Sequence, residues 1–102
     1  MNALVFVRFH VKPGSEARVE AILQDMVVKT RLEPGCRRYD LYQATAASGG
    51  RMYCLLEKYA DEAAVLAHRE TTHYKDYRAN IVDLLAEPIE VTLLEALNAR
   101  GG

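Results

Sequence analysis

Three prolines stand where the hydrophobic periodicity of this chain changes, and that punctuation constrains the fold more than any other feature. Before Pro13, residues 4–11 alternate, with Val5, Val7, Phe9 and Val11 on one face and Leu4, Phe6, Arg8 and His10 on the other, as a strand requires. Lys12-Pro13-Gly14-Ser15 breaks the alternation. Ser15 is then placed to cap a helix whose apolar positions Val19, Ile22, Leu23, Met26 and Val27 recur at helical spacing. Pro34 disfavours helical geometry at Glu33 and Gly35 supplies a turn, so this helix is expected to end near Leu32. Pro88 is expected to stop a second helical region and to open a last strand over residues 89–97.

Between the second and third prolines, residues 36–43 and 51–59 read as two strands joined about Ser48-Gly49-Gly50, an antiparallel hairpin. Asp61 is positioned to cap a short helix running to about His68. Thr71 or Thr72 is positioned to cap a second segment carrying Tyr74, Tyr77, Ile81, Leu84 and Leu85, the two meeting at a bend. The order strand, helix, strand, strand, helix, strand predicts an α+β, ferredoxin-like split βαβ protomer: one antiparallel sheet with helices on one face. The strands nevertheless carry large apolar residues on both faces, Leu4 and Phe6 among them, so the uncovered face predicts a partner. A two-fold homodimer through packed sheet faces is the simplest one.

At 102 residues the chain is expected to be a single domain over residues 1–102, with residues 98–102 as a frayed tail. A formal charge of −1, with no basic stripe interleaved with aromatics, argues against nucleic acid and against an anionic membrane surface. The apolar start carries Arg8 and His10 and lacks the features of a signal peptide, and no run reaches transmembrane length. Pairing Gln43 with Arg51 would set Cys54 opposite Asp40 and Cys36 opposite Lys58, too far apart for a disulfide, so two free thiols in a reduced, cytoplasmic protein are expected.

Residues 57–74 concentrate the chemistry: two of the three histidines, the strand-end carboxylate Glu57 and several hydroxyls. His68 is the favoured catalytic residue. It follows a helix of small residues, Ala63, Ala64 and Ala67, that can lie close to the sheet, and a neutral imidazole can take a proton at physiological pH. The alternative is a helix-end histidine bonded to a carbonyl or a nearby acid. His73 follows five residues on, roughly 140° around a straight helix, so the two share a face only if the bend re-aims one. With no HxxxH pair, no clustered cysteines and no third ligand at suitable spacing, no metal site is expected. His10 is assigned to the edge of the dimer face.

Glu57 and Tyr59 share a strand face with Tyr53 and Leu55, and the assumed register sets Glu57 opposite Arg37 as an ordinary sheet ion pair. Tyr39, Tyr42, Tyr59, Tyr74 and Tyr77 are core or interface aromatics that could together line a pocket for a flat aromatic ligand. No phosphate loop or dinucleotide fingerprint is present, because Gly49-Gly50 joins two antiparallel strands and opens no helix.

Three segments resemble one family. They are Phe9-His10-Val11-Lys12-Pro13-Gly14, then Arg31-Leu32-Glu33-Pro34-Gly35-Cys36 with Tyr39-Asp40-Leu41-Tyr42, then Leu56-Glu57-Lys58-Tyr59-Ala60-Asp61 running to His68 and Thr72-His73-Tyr74. In this order and spacing the chain resembles the antibiotic biosynthesis monooxygenase domain, and within it the small quinol monooxygenase-like proteins. The resemblance implies a dimeric α+β barrel in which each protomer keeps a pocket between sheet and helices. It also implies oxidation of a quinol or polyphenolic ring by molecular oxygen with no flavin, haem or metal. Carried onto this sequence, His68 would be base or orienting group and His73 and Tyr74 would line the pocket; Tyr59, Glu57 and Tyr39, read from their own strand positions, are the further candidate substrate-binding residues. There are departures: the chain has no tryptophan, His68 stands where the haem-degrading branch has one, and Arg78 stands where that branch has its later histidine. The polyketide-tailoring branch also uses an asparagine and a tryptophan with no counterpart here. A further branch isomerises a sugar-derived signalling metabolite, so the alternatives are such an isomerase or a non-catalytic barrel binding a small hydrophobic molecule.

Overall fold

The protein is described by a computed structural model covering residues 2–100. Four strands and three helices follow in the order β1 (Ala3–His10), α1 (Glu16–Thr30), β2 (Cys36–Thr45), β3 (Arg51–Tyr59), α2 (Glu62–Arg69), α3 (Thr72–Ile81) and β4 (Glu90–Leu94). The sheet order is β2-β3-β1-β4 with every neighbouring pair antiparallel, the ferredoxin-like arrangement expected from the period changes. The helices cover one face. The stripe Val19, Leu23, Met26 and Val27 of α1 is buried against the alternating set Val5, Val7 and Phe9 of β1 and Tyr53 and Leu55 of β3, in one core cluster.

Local punctuation works largely as read. The Asp61 carboxylate accepts from the Ala64 N–H at 2.9 Å and caps α2, and the Thr71 hydroxyl accepts from the Tyr74 N–H at 3.2 Å and caps α3. Ser15 holds the N-cap position of α1 but makes no capping bond; the Glu16 side chain instead accepts from the Gly14 N–H at 2.9 Å, where Gly14 adopts φ 92°. The bend between α2 and α3 also forms. Both cysteines are free thiols.

Three expectations are corrected. The β2–β3 register is offset by two: Thr45 faces Arg51 and Gln43 faces Tyr53, because β2 runs on through Thr45 and leaves a tighter loop. A register irregularity between Cys36 and Arg38 then takes Arg37 out of the ladder, and its guanidinium donates to the Pro34 carbonyl at 3.1 Å. Glu57 therefore faces Tyr39, not Arg37, and the expected sheet ion pair does not form; Cys54 faces Tyr42 and Cys36 faces Tyr59. Second, α3 ends at Ile81, well short of Pro88, and passes through one 3₁₀ turn at Val82–Leu84. The chain is held there by the sheet edge, since Leu85 bridges Val11, Lys12 N–H donates to the Leu84 carbonyl at 3.0 Å and Ala86 N–H to the His10 carbonyl at 2.8 Å. Third, the last strand stops at Leu94, so Leu97 lies outside it and is 98% exposed. The expected frayed tail extends to residues 101 and 102, outside the described residues.

The far face of the sheet carries Leu4 and Phe6 of β1 beside Leu56 and Cys54 of β3, with Tyr42 of β2 53% exposed. On the helix side, Val91 and Leu93 pair with buried Val7 and Val5 yet stay exposed, because β4 lies past the edge of the helical layer. No helix among the described residues is long and apolar enough to cross a membrane.

Candidate active site

The turn that ends α1 carries a side chain that periodicity alone did not single out. After Thr30 the chain closes on itself, Glu33 N–H donating to the Thr30 carbonyl at 3.0 Å and Cys36 N–H to the Glu33 carbonyl at 3.1 Å. Arg31 pins this turn to β2 through the Tyr39 carbonyl at 3.1 Å and Asp40 Oδ1 at 3.1 Å. Gly35 lies under α2: a Cβ placed there would collide with the side chain of Ala64, and the Gly35 carbonyl accepts from the Ala60 N–H at 2.8 Å. The small residues of α2 thus bring its last turn down onto Glu33.

The bend completes the site. Thr71 donates its hydroxyl to the His68 carbonyl at 2.7 Å while accepting from the Tyr74 N–H, so one side chain ties the end of α2 to the first turn of α3. In consequence one oxygen of Glu33, Oε2, accepts from His68 Nδ1 at 2.8 Å and from His73 Nε2 at 2.6 Å. The two imidazoles converge from different helices onto a third group 35 and 40 residues away in the chain.

His68 is 3% exposed and packed among rings, with Tyr74 edge-on at 5.0 Å, Tyr59 at 5.3 Å and Tyr39 at 5.8 Å between centroids. Burial pushes its pKa below the ordinary histidine value, opposed by the hydrogen bond and charge of Glu33. The imidazole is accordingly neutral at neutral pH, and with Nδ1–H donated to a carboxylate the proton-accepting lone pair lies on Nε2. Beside it, Glu57 is 5% exposed and accepts from the Tyr59 hydroxyl at 2.5 Å. Burial raises the Glu57 carboxyl to about 7, against the Tyr59 hydrogen bond and the Arg69 charge that favour ionisation. Burial likewise pushes the phenols of Tyr39, Tyr59 and Tyr77 up, so all three remain hydroxyls.

His68, Glu57, Tyr39, Tyr74 and Tyr77 line one cavity of about 20 Å³, walled by buried Val5, Val7 and Val65. That is space for one water or one diatomic molecule. Its exposed lining residues, Arg69, Arg78 and Val91, mark the mouth, and Arg78 donates to the Tyr74 hydroxyl at 2.9 Å. Of the expected wall residues, Tyr59 stands behind Glu57 and acts on the cavity through it. His73 points to the other side of Glu33 and borders an open groove of about 470 Å³ between α1 and α3. His10 lies apart, with Glu87 at 3.3 Å.

Glu33, Arg69 and Arg78 were not singled out for the site. In the sequence Glu33 stands ahead of a helix-stopping proline and inside one of the family-like segments, with no role assigned by either. The available signal was the pair of histidines on either side of a bend, which needed a shared partner to converge upon.

A neutral imidazole braced by a carboxylate, next to a carboxyl poised near neutrality in a mostly apolar cavity, can accept a proton at one point and return it at another. The sequence pattern of the antibiotic biosynthesis monooxygenase family matches residues 3–80. Rv0793 of Mycobacterium tuberculosis, named a candidate monooxygenase, is 40% identical over 94 residues, covering 92% of this chain and 90% of that protein. YcnE of Bacillus subtilis, named in the same way, is 31% identical, covering 90% of this chain and 97% of that protein. The solved structure of Rv0793 superposes with a TM-score of 0.87 at 38% identity, covering 99% of this chain and 100% of that one. A candidate antibiotic biosynthesis monooxygenase from Nitrosomonas europaea superposes with a TM-score of 0.84 at 25% identity, covering 98% and 94%. On a matched pattern that spans the strands and helices building the site, this chain belongs to the antibiotic biosynthesis monooxygenase family.

Proposed function

We propose that this protein is a cofactor-independent monooxygenase that oxidises a quinol or another small phenolic ring with molecular oxygen. The observation that carries this reading is the Glu33–His68 pair, whose imidazole lines a cavity shared with Glu57. His68 Nε2 takes the phenolic proton, and the electron-rich anion passes one electron to oxygen. The radical pair recombines at a ring carbon as a peroxide, which loses water to leave a carbonyl. One oxygen atom enters the ring and the other leaves as water, so a hydroquinone supplies all four electrons and yields a hydroxyquinone. The proton needed for loss of water returns from His68 or from the Glu57 carboxyl.

A cavity of about 20 Å³ accommodates oxygen but not a ring, so the ring enters by parting Tyr74 and Arg78, which are bonded to each other at the mouth. The guanidiniums of Arg69 and Arg78 there favour a phenolate or an acidic substituent. The same acid–base pair could move a proton between two carbons, which keeps an isomerase as the second reading. We further propose a homodimer through the far sheet face, forming the dimeric barrel, and residence in a reducing compartment such as the cytoplasm, in keeping with two free thiols.

The test is oxygen uptake by chelator-treated protein with a panel of quinols, corrected for autoxidation, comparing wild type with His68→Ala. Turnover should fall roughly 10²- to 10⁴-fold in the variant, the range for loss of a positioned base. No uptake above background from folded wild type rejects the oxygenase and leaves the isomerase or a binding role.

A further inference from the structure

We propose that Glu33, His68 and His73 form a binding site for one divalent first-row transition metal ion, zinc or a close relative. Glu33 Oε2, His68 Nδ1 and His73 Nε2 all lie within 4.8 Å of one another. They are supplied by three separate segments, the turn after α1, the end of α2 and the first turn of α3, each held by its own hydrogen bonds. Two imidazole nitrogens and one carboxylate oxygen are the donor set that zinc and iron(II) accept as three protein ligands with a position left open.

The geometry needs little change. The carboxylate oxygen lies 2.8 Å from one nitrogen and 2.6 Å from the other. A tetrahedral ion with bonds of about 2.0–2.1 Å separates its ligand atoms by roughly 3.3 Å. Opening each oxygen–nitrogen distance by about 0.5–0.7 Å, with the two nitrogens, within 4.8 Å of each other, brought to the same separation, admits the ion. An entry path exists, because His73 and Glu33 keep 19% and 13% of their side chains exposed and His73 borders the outer groove. The inner histidine is sealed from that side.

Metal binding and base catalysis exclude each other at His68. A metal on Nδ1 takes the lone pair there and moves the ring proton to Nε2, which then donates and no longer accepts a proton. The metal-loaded form lacks the base, and the site acts as an off switch on the reaction proposed above. The binding itself does not depend on that reaction.

The test uses tag-free, chelator-treated full-length protein titrated with Zn²⁺ and with Co²⁺, following heat and the cobalt ligand-field spectrum. One ion per chain should bind, with a Kd of roughly micromolar order or tighter. Glu33→Gln and His73→Gln should each weaken it by about tenfold or more, and His10→Gln, on the distant Glu87 cluster, should not. ¹⁵N imidazole spectra should show His68 changing from Nδ1–H to Nε2–H on zinc addition. Absence of stoichiometric binding overturns the proposal. So does binding that survives both Glu33→Gln and His73→Gln, or a His68 tautomer that zinc leaves unchanged. Circular dichroism of each variant separates lost binding from lost fold. No substrate enters these measurements, so failure of the oxygenase reading does not decide them.

Discussion

Glu33 joins two imidazoles that a straight helix would have turned apart. It does so because its own position is set by a proline-glycine turn and theirs by a bend, and no period in the sequence connects the two. Glu57 is the other residue whose setting was misread: a strand carboxylate opposite an arginine is ordinary, whereas a carboxylate opposite Tyr39 and bonded to Tyr59 is a buried acid. Between pH 4.5, the ordinary value for a glutamate, and about 7, the folded state holds a proton at Glu57 that the unfolded state has released. Stability from this group is therefore full below pH 4.5, falls as pH rises through that window and is level above it. At roughly 1.4 kcal/mol per pH unit the loss is about 3 kcal/mol. His68, with its pKa lowered, contributes the opposite slope below pH 6.5, where the unfolded state binds the extra proton. Denaturation of wild type and Glu57→Gln across pH 4–8 separates the two: the difference curve should decline with pH by about that amount, and a flat difference would mean that the Glu57 pKa does not change on folding. The alternation that put Glu57, Tyr59, Tyr53 and Leu55 on one face was legible in the sequence. The partner across the strand was not, because an offset of two preserves facing while changing every neighbour.

At the scale of elements, the site depends on how close α2 lies to the turn before β2. Ala64 and Gly35 set that distance, since neither leaves room for a larger side chain. Gly35→Ala should destabilise the protein by roughly 1–3 kcal/mol through overpacking, and the displaced α2 should loosen the His68–Glu33 bond. Urea denaturation gives the first quantity and the His68 ¹⁵N spectrum the second. Adding Ala64→Gly should recover part of the loss, giving a coupling energy of opposite sign to the two single effects; simple additivity would show that the contact does not set the spacing. The caps at Asp61 and Thr71 were readable because capping is a local pattern of residue types. The second bond of Thr71, to the His68 carbonyl, fixes the angle between the two helices and involves no recognisable spacing. The end of α3 was misplaced for a related reason. Leu84 and Leu85 have helical spacing, but the backbone there is taken up by Val11 and Lys12, just past the end of β1, before Pro88 is reached.

At the scale of the whole molecule, the far sheet face carries the half-buried apolar side chains Leu4, Phe6 and Leu56. Phe6 stands at its centre, between Leu56 of β3 and Thr92 of β4. If the proposed homodimer buries it, light scattering should give twice the protomer mass for wild type and the single mass for Phe6→Lys, with the circular dichroism of both alike. A monomeric wild type at micromolar concentration would sink the dimer. Order, type and facing of the elements were all present in the chain itself, because a change of hydrophobic period and a proline or glycine at the change are local facts and side-chain direction follows from backbone period. The strand offset, the early end of α3 and the meeting of Glu33, His68 and His73 came from packing between segments far apart in the chain, 40 residues for His73 and Glu33 and more than 70 for the end of α3. Close packing chooses among arrangements that local patterns leave equivalent, because the energy that separates them lies in contacts between those segments.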